Sequence, residues 1–135
     1  MTDVPPVEQI VHVAEFRAAL RTFLRRNEKV ARAAGLTPQR YLLLLMIKGA
    51  PDNTEQSTVT ELAERLQLAQ STVTELVRRA EEAGLIDREA STTDGRVAHL
   101  RLSAEGERRL MRSFTQLETE RRELRDAFAH LDDSV

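Results

Sequence analysis

The sequence predicts a mainly α fold: a winged helix-turn-helix with N- and C-terminal dimerisation helices and a small β-hairpin wing. Three observations predict it. Between Thr58 and Gly84 two short amphipathic helical patterns are joined by a tight turn. Between Leu85 and Leu102 two strand-like runs flank the loop Ser91-Thr92-Thr93-Asp94-Gly95-Arg96. At both ends of the chain, apolar residues recur at alternating spacings of three and four, the seam of helices packed at shallow angles.

The N-terminal seam follows Pro5-Pro6 and comprises Ile10, Val13, Arg17, Leu20, Leu24, Asn27 and Ala31, with Phe16 and Phe23 widening it. Thr37-Pro38 opens the next helix, threonine as cap and proline at the first helical position. Tyr41 through Ile47 is apolar nearly all round, which places that helix centrally. Residues 49–56 are polar with glycine and proline and read as a loop, and Ser57 to Val59 reads as a short strand beside the wing. Thr58-Val59-Thr60-Glu61 has the form of a capping box. The helix it starts presents Leu62, Ala63 and Leu66 to the core, and Leu68 is expected to plug the turn Gln67-Leu68-Ala69. Val73, Leu76, Val77 and Ala80 form the i, i+3, i+4, i+7 stripe of the second helix, and Gly84 ends it.

The wing is expected to pair Leu85–Glu89 with Val97–Leu102, directing Ala98, Leu100 and Leu102 inward and His99 and Arg101 outward. Asp94-Gly95 supplies the positive φ of a reversing hairpin. In the C-terminal run, Leu110, Phe114, Leu117, Arg121, Leu124, Phe128 and Leu131 continue one strict seam, read as a single helix. Arg121 within it implies either an ion pair specific to a dimer or a seam that faces solvent there. The organisation expected is one integrated domain: residues 1–36 an N-terminal dimerisation helix, 37–103 a DNA-binding lobe, and 104–135 a C-terminal dimerisation helix. A twofold homodimer that interleaves the two ends covers both seams.

The second helix of the motif carries the functional expectation. Opposite its buried stripe stand Ser71, Glu75, Arg78 and Glu82, flanked by Thr72, Thr74 and Arg79, with Gln70 at the start. Short hydroxyls near a helix start approach phosphates and base edges, helped by free N–H groups and the positive end of the dipole, while arginines further along reach outward. Arg96, presented at the wing tip and oriented by Asp94, suits the focused negative potential of a narrow minor groove. Glu75 is ambiguous: its carboxylate repels phosphates, yet it also suits the N4 amino group of a cytosine.

The run Leu62-Ala63-Glu64-Arg65-Leu66, then Ser71-Thr72-Val73-Thr74-Glu75-Leu76-Val77, Gly84-Leu85-Ile86, Asp94-Gly95-Arg96 and Leu100-Arg101-Leu102-Ser103-Ala104-Glu105-Gly106 resembles the MarR (multiple antibiotic resistance regulator) family. The most specific part is the wing Asp-x-Arg followed by Leu-x-Leu-Ser/Thr-x-x-Gly. The resemblance implies a dimeric transcriptional regulator, usually a repressor, that binds a pseudopalindromic operator in double-stranded DNA and often releases it to a small aromatic effector. It further implies an effector pocket where the dimer helices meet the lobe, for which His12, Phe16, Tyr41 and Met46 are the candidates. The chain departs from the pattern at Ala69, where the family commonly has a capping side chain, leaving that role to Gln70, Ser71 or the backbone, and at Glu75, where many members are basic.

Charge argues against general attraction to nucleic acid, because the formal net charge is -2. Between Gln70 and Arg101 the arginines at 78, 79, 88, 96 and 101 face acids at 75, 81, 82, 87, 89 and 94. The basic excess lies instead in Arg17, Arg21, Arg25, Arg26, Lys29, Arg32 and Arg40, with Glu28 among them. A shallow salt dependence of DNA binding follows. The chain has no cysteine, which excludes disulfides and thiolate chemistry. Without an apolar run near 20 residues or a signal peptide, a cytoplasmic protein outside the membrane is expected. Scattered histidines and the lack of a nucleophile elbow or phosphate-binding glycine loop argue against catalysis, a metal site or a cofactor. The competing reading is a winged-helix module that makes protein–protein contacts without an operator.

Overall fold

The computed structural model describes residues 3–90, 93 and 95–132. Among these the order is α1 (Val7–Ala33), α2 (Pro38–Lys48), α3 (Val59–Leu66), α4 (Gln70–Glu82), β1 (Ile86–Ala90), β2 (Ala98–Leu102), α5 (Ala104–Thr115) and α6 (Glu118–Asp132). No helix among them is long and apolar enough to cross a membrane.

Local chemistry sets most of these boundaries. The Thr37 hydroxyl accepts from Arg40 N at 3.1 Å to start α2. The capping box at α3 is complete, with Thr58 N donating to Glu61 Oε1 at 2.8 Å and Glu61 N donating to Thr58 Oγ1 at 3.2 Å. Three helices then end with the same stop, a left-handed residue followed by a leucine whose N–H reaches back across the last turn. Gly35 (φ 79°) precedes Leu36, Gln67 (φ 57°) precedes Leu68, and Gly84 (φ 75°) precedes Leu85. The backbone bonds are Leu36 N to Ala31 O at 2.9 Å, Leu68 N to Ala63 O at 3.1 Å and Leu85 N to Ala80 O at 3.0 Å.

The side chains after these stops differ. Leu36 and Leu85 are buried, whereas Leu68 is 41% exposed. The expectation that Leu68 plugs the turn is therefore corrected: its backbone closes the α3 stop, and its side chain faces out.

The core of the lobe is formed by Leu43, Leu44 and Ile47 of α2, Leu62 of α3, Val73, Val77 and Ala80 of α4, and Leu85, Leu100 and Leu110. The wing strands pair antiparallel, from Ile86 opposite Leu102 to Ala90 opposite Ala98. They begin one residue later than expected, because Leu85 belongs to the α4 stop. Ser57 adds the short third bridge against Leu100, exchanging bonds of 3.1 and 2.8 Å. Arg101 points off the core as expected but is covered by the preceding loop, its Nη1 donating to Thr54 O at 3.2 Å.

Ser103 and Gly106 explain why the end of the wing is so specific in sequence. Ser103 N donates to Leu85 O at 3.0 Å, its hydroxyl donates to Gly84 O at 2.6 Å, and that hydroxyl accepts from Gly106 N at 3.0 Å. A Cβ on Gly106 would lie 2.1 Å from Leu85 O. Only glycine allows α5 to rest on the backbone that leaves α4.

The chain's two ends pack antiparallel. His12 and His130 rings lie 6.4 Å apart, Phe16 meets Phe128 edge-on at 5.8 Å, and Arg26 Nε reaches Glu120 Oε1 at 3.4 Å. This geometry corrects two expectations. First, the α1 face turned toward α6 is the one carrying His12, Phe16 and Phe23. The seam residues Ile10, Val13 and Leu24 remain 55%, 49% and 50% exposed. Second, the C-terminal segment is two helices, broken at Gln116-Leu117. There the Phe114 carbonyl, which a continuous helix would bond to residue 118, accepts instead from Leu117 N at 3.2 Å and from Arg121 Nη1 at 2.6 Å. The Arg121 guanidinium also lies 3.7 Å from the centre of the Phe114 ring. Arg121 thus fastens the break within the chain.

Candidate nucleic-acid interface

The α4 helix is held by one face and presents the other. Val73, Val77 and Ala80 are fully buried, which fixes its rotation about its own axis. Gln70, Ser71, Thr72, Thr74, Arg78 and Arg79 are exposed, and Glu75 is half-buried. Ala69 occupies the N-cap position, and no side chain caps the helix there. The caps expected of Gln70 or Ser71 are not made. In contrast to α2, α3 and α5, the first N–H groups of α4 keep their positive partial charge for an external acceptor.

Further along, charges are organised around Glu75. Arg78 grips it with two nitrogens, Nε to Oε2 at 2.9 Å and Nη2 to Oε1. Arg79 Nε reaches the same Oε1 at 3.1 Å. The remaining terminal nitrogen of Arg78, Nη1, donates to Glu82. Hydrogen bonds from Arg78, then from Arg79, pull the Glu75 carboxyl down to about 2. The same contact raises Arg78. Sequence reasoning placed Glu75, Arg78 and Glu82 on one face with Arg79 on its flank but did not see that they bond to one another. Their spacing at i, i+3, i+4 and i+7 was the available signal.

The wing is tied to α4 by a pair that sequence reasoning missed, Arg88 Nη2 to Glu81 Oε1 at 2.7 Å. Arg96 is exposed at the wing. Asp94, expected to orient it, lies outside the described residues, as do Ser91 and Thr92. Two further unforeseen contacts steady the lobe. Arg65 of α3 donates to the Met46 and Gly49 carbonyls at the end of α2, at 2.8 and 3.4 Å. Lys48 sits between Glu55 and Glu107, and those carboxylates raise its pKa.

The effector candidates fall in two places. His12 and Phe16 lie in the α1–α6 seam, where Phe16 lines a cleft of about 440 Å³ together with Phe23, Arg121, Leu124, Arg125 and Phe128. The buried polar atoms His12 Nδ1, Asn27 Oδ1 and Glu120 Oε2 have no hydrogen-bond partner among the described residues. Tyr41 is a core residue at 3% exposure, its phenol raised by burial with Arg121 partly opposing. Met46 packs against the same core from α2.

This arrangement of helices and wing has known counterparts. Residues 34–97 match the sequence model of the MarR family. Over those residues the chain has the MarR family's winged-helix pattern. A mutant MarR from E. coli complexed with operator DNA superposes with a TM-score of 0.69 at 18% identity, covering 86% of this chain and 84% of that one. AbsC, a MarR family transcriptional regulator from Streptomyces coelicolor, gives 0.67 at 20% identity over 97% of this chain and 84% of its own. A MepR mutant from S. aureus bound to an oligodeoxyribonucleotide gives 0.67 at 19% identity, covering 82% and 79%. At these identities the likeness is one of fold. A search of curated protein sequences finds no match. In this fold α4 lies against β1 of the wing, while α1 packs on α6.

Proposed function

We propose that this MarR family chain is a DNA-binding transcriptional regulator that acts in the cytoplasm as a homodimeric repressor of a pseudopalindromic operator. The observation that carries the reading is the outward face of α4. It combines an uncapped N-terminus, the hydroxyls of Ser71, Thr72 and Thr74, and the two arginines Arg78 and Arg79 on a helix whose buried stripe fixes its aim. In this reading Gln70, Ser71, Thr72 and Thr74 meet phosphates and base edges of the major groove, Arg78 and Arg79 lie deeper along it, and Arg96 with Asp94 takes the minor groove. Residues 37–103 form the reading lobe, and residues 1–36 and 104–135 pair two copies through the exposed Ile10, Val13 and Leu24. A small aromatic ligand, contacted by His12 and Phe16 on the seam side and Tyr41 and Met46 on the lobe side, shifts the angle between lobes and releases DNA.

The test is selection of bound sequences from random duplexes, repeated with Arg96→Ala and Thr74→Ala. The regulator reading expects a twofold-symmetric enriched site, a general loss of affinity for the first variant and an altered base preference for the second. The charge balance favours a second reading, a module that docks another protein through the same face. Enrichment of no duplex supports that module and removes the regulator.

A further inference from the structure

The Glu75 network raises a question that an ordinary surface ion pair does not, because it occupies the face proposed to enter the groove. Each of the three guanidinium nitrogens of Arg78 is engaged by a carboxylate of its own helix, two by Glu75 and one by Glu82. Arg79 shares Glu75. Two cations and two anions on successive turns leave no net charge on this stretch. A phosphate that approaches the remaining N–H groups must draw near to two carboxylates already in place, whose negative charge repels its own. A base edge is different. The N–H groups of Arg78 that Glu75 and Glu82 leave over lie in the guanidinium plane, and an acceptor pair in that plane adds to the existing bonds without replacing them.

We propose that Glu75 is a specificity-determining residue that acts through Arg78 and Arg79, holding their guanidiniums away from phosphates so that DNA binding depends on base edges more than on backbone charge. The inference rests on the proposed function. It resolves the ambiguity of a carboxylate on the reading face: Glu75 is a positioning group whose partners are arginines. The very low pKa of Glu75 agrees with a carboxylate that stays charged throughout any working range. The arrangement also gives a physical source for a shallow salt dependence, since paired arginines release few counterions.

The experiment compares the wild-type chain with Glu75→Gln, Glu75→Asp and Glu82→Gln, using the duplex selected by the wild type and a scrambled duplex, across a salt series. Glu75→Gln keeps an acceptor but removes the charge, and melting temperature and helicity confirm that the fold is intact. We expect scrambled-duplex affinity at low salt to rise about tenfold and the log–log salt slope to steepen by about 1 to 2, the equivalent of one or two added phosphate contacts. The ratio of selected to scrambled affinity falls correspondingly. Glu75→Asp, which retains the charge, stays nearer the wild type, and Glu82→Gln shows a smaller change of the same sign because it frees only one nitrogen. Unchanged slope and ratio in Glu75→Gln overturn the inference while leaving the regulator reading intact. It is equally overturned if Glu75→Gln changes the preferred base at one position without raising scrambled-duplex affinity, since Glu75 would then touch a base itself. A wild-type chain that enriches no duplex removes both readings together.

Discussion

Helices α1 and α2 are both rich in apolar residues, yet they end up in opposite conditions. In its 11 residues α2 buries Tyr41, Leu43, Leu44 and Ile47, while the 27 residues of α1 bury only Val30 and Ala31, at its last turn. Arginine divides in the same way. In the lobe, Arg65, Arg78, Arg79, Arg88 and Arg101 hold carboxylates or carbonyls. On α1, Arg26 with Glu120 is the one ion pair formed among the described residues. The lobe is thus specified by contacts within its own chain. The terminal pair leaves the apolar side chains of Ile10, Val13, Leu24 and Phe128 exposed in the single chain.

This contrast is broken or sharpened by substitution. Leu44→Ala should destabilise the chain by about 3 kcal/mol, as deletion of a fully buried leucine does. Phe23→Ala, at the half-buried seam, should lower stability by less than half as much in dilute solution, measured by urea denaturation. Equal losses would mean that the seam is packed as well as the core. Gly106→Ala should follow at about 2 kcal/mol, the range for forcing a methyl group into a close contact. Its unfolding midpoint should fall even though alanine favours helix. Thr58→Ala removes the reciprocal cap at α3 and should lower stability by about 1 kcal/mol, with Thr58→Ser recovering most of it.

The smallest effect belongs to Tyr41 and appears only in alkali. Burial raises its phenol above the ordinary 10.0, so the folded state holds the proton more tightly than the unfolded one. The contribution is intact below pH 10 and lost as pH climbs through the folded value. Tyr41→Phe should match the wild type at pH 7 and lose less stability between pH 10 and 11, as followed by chemical denaturation. The same dependence in both proteins would remove Tyr41 from the alkaline transition.

Local signals in the sequence carried far. The Thr58–Glu61 box, the Gln67-Leu68-Ala69 turn and the Val73, Val77, Ala80 stripe are short-range features, and each determines its element almost alone. The stripe also exposed the reading face by exclusion. What was not legible depended on partners distant in sequence or on choices between equivalent faces. A helix with Ile10, Val13 and Leu24 on one side and Phe16 and Phe23 on the other has two apolar faces, and periodicity does not say which meets α6. The break after Thr115 carries neither proline nor glycine, and the seam continues in phase across it, so spacing reads through. Leu68 follows the same stop as Leu36 and Leu85, and its exposure is decided by whether another element lies above it. Glu75 was read as a charge and not as a partner, although Arg78 and Arg79 stand at i+3 and i+4 from it, where helix ion pairs form.

The join between α5 and α6 has a mechanical consequence. A bend made by proline is fixed by a covalent ring, whereas this one is an elbow laced by a single guanidinium to the Phe114 carbonyl and ring. An elbow of that kind changes its angle through one residue, with no alteration to the core that α5 helps to close. The angle between α5 and α6 is therefore a trait that one substitution at Arg121 alters while the Ser103 cap that starts α5 stays in place.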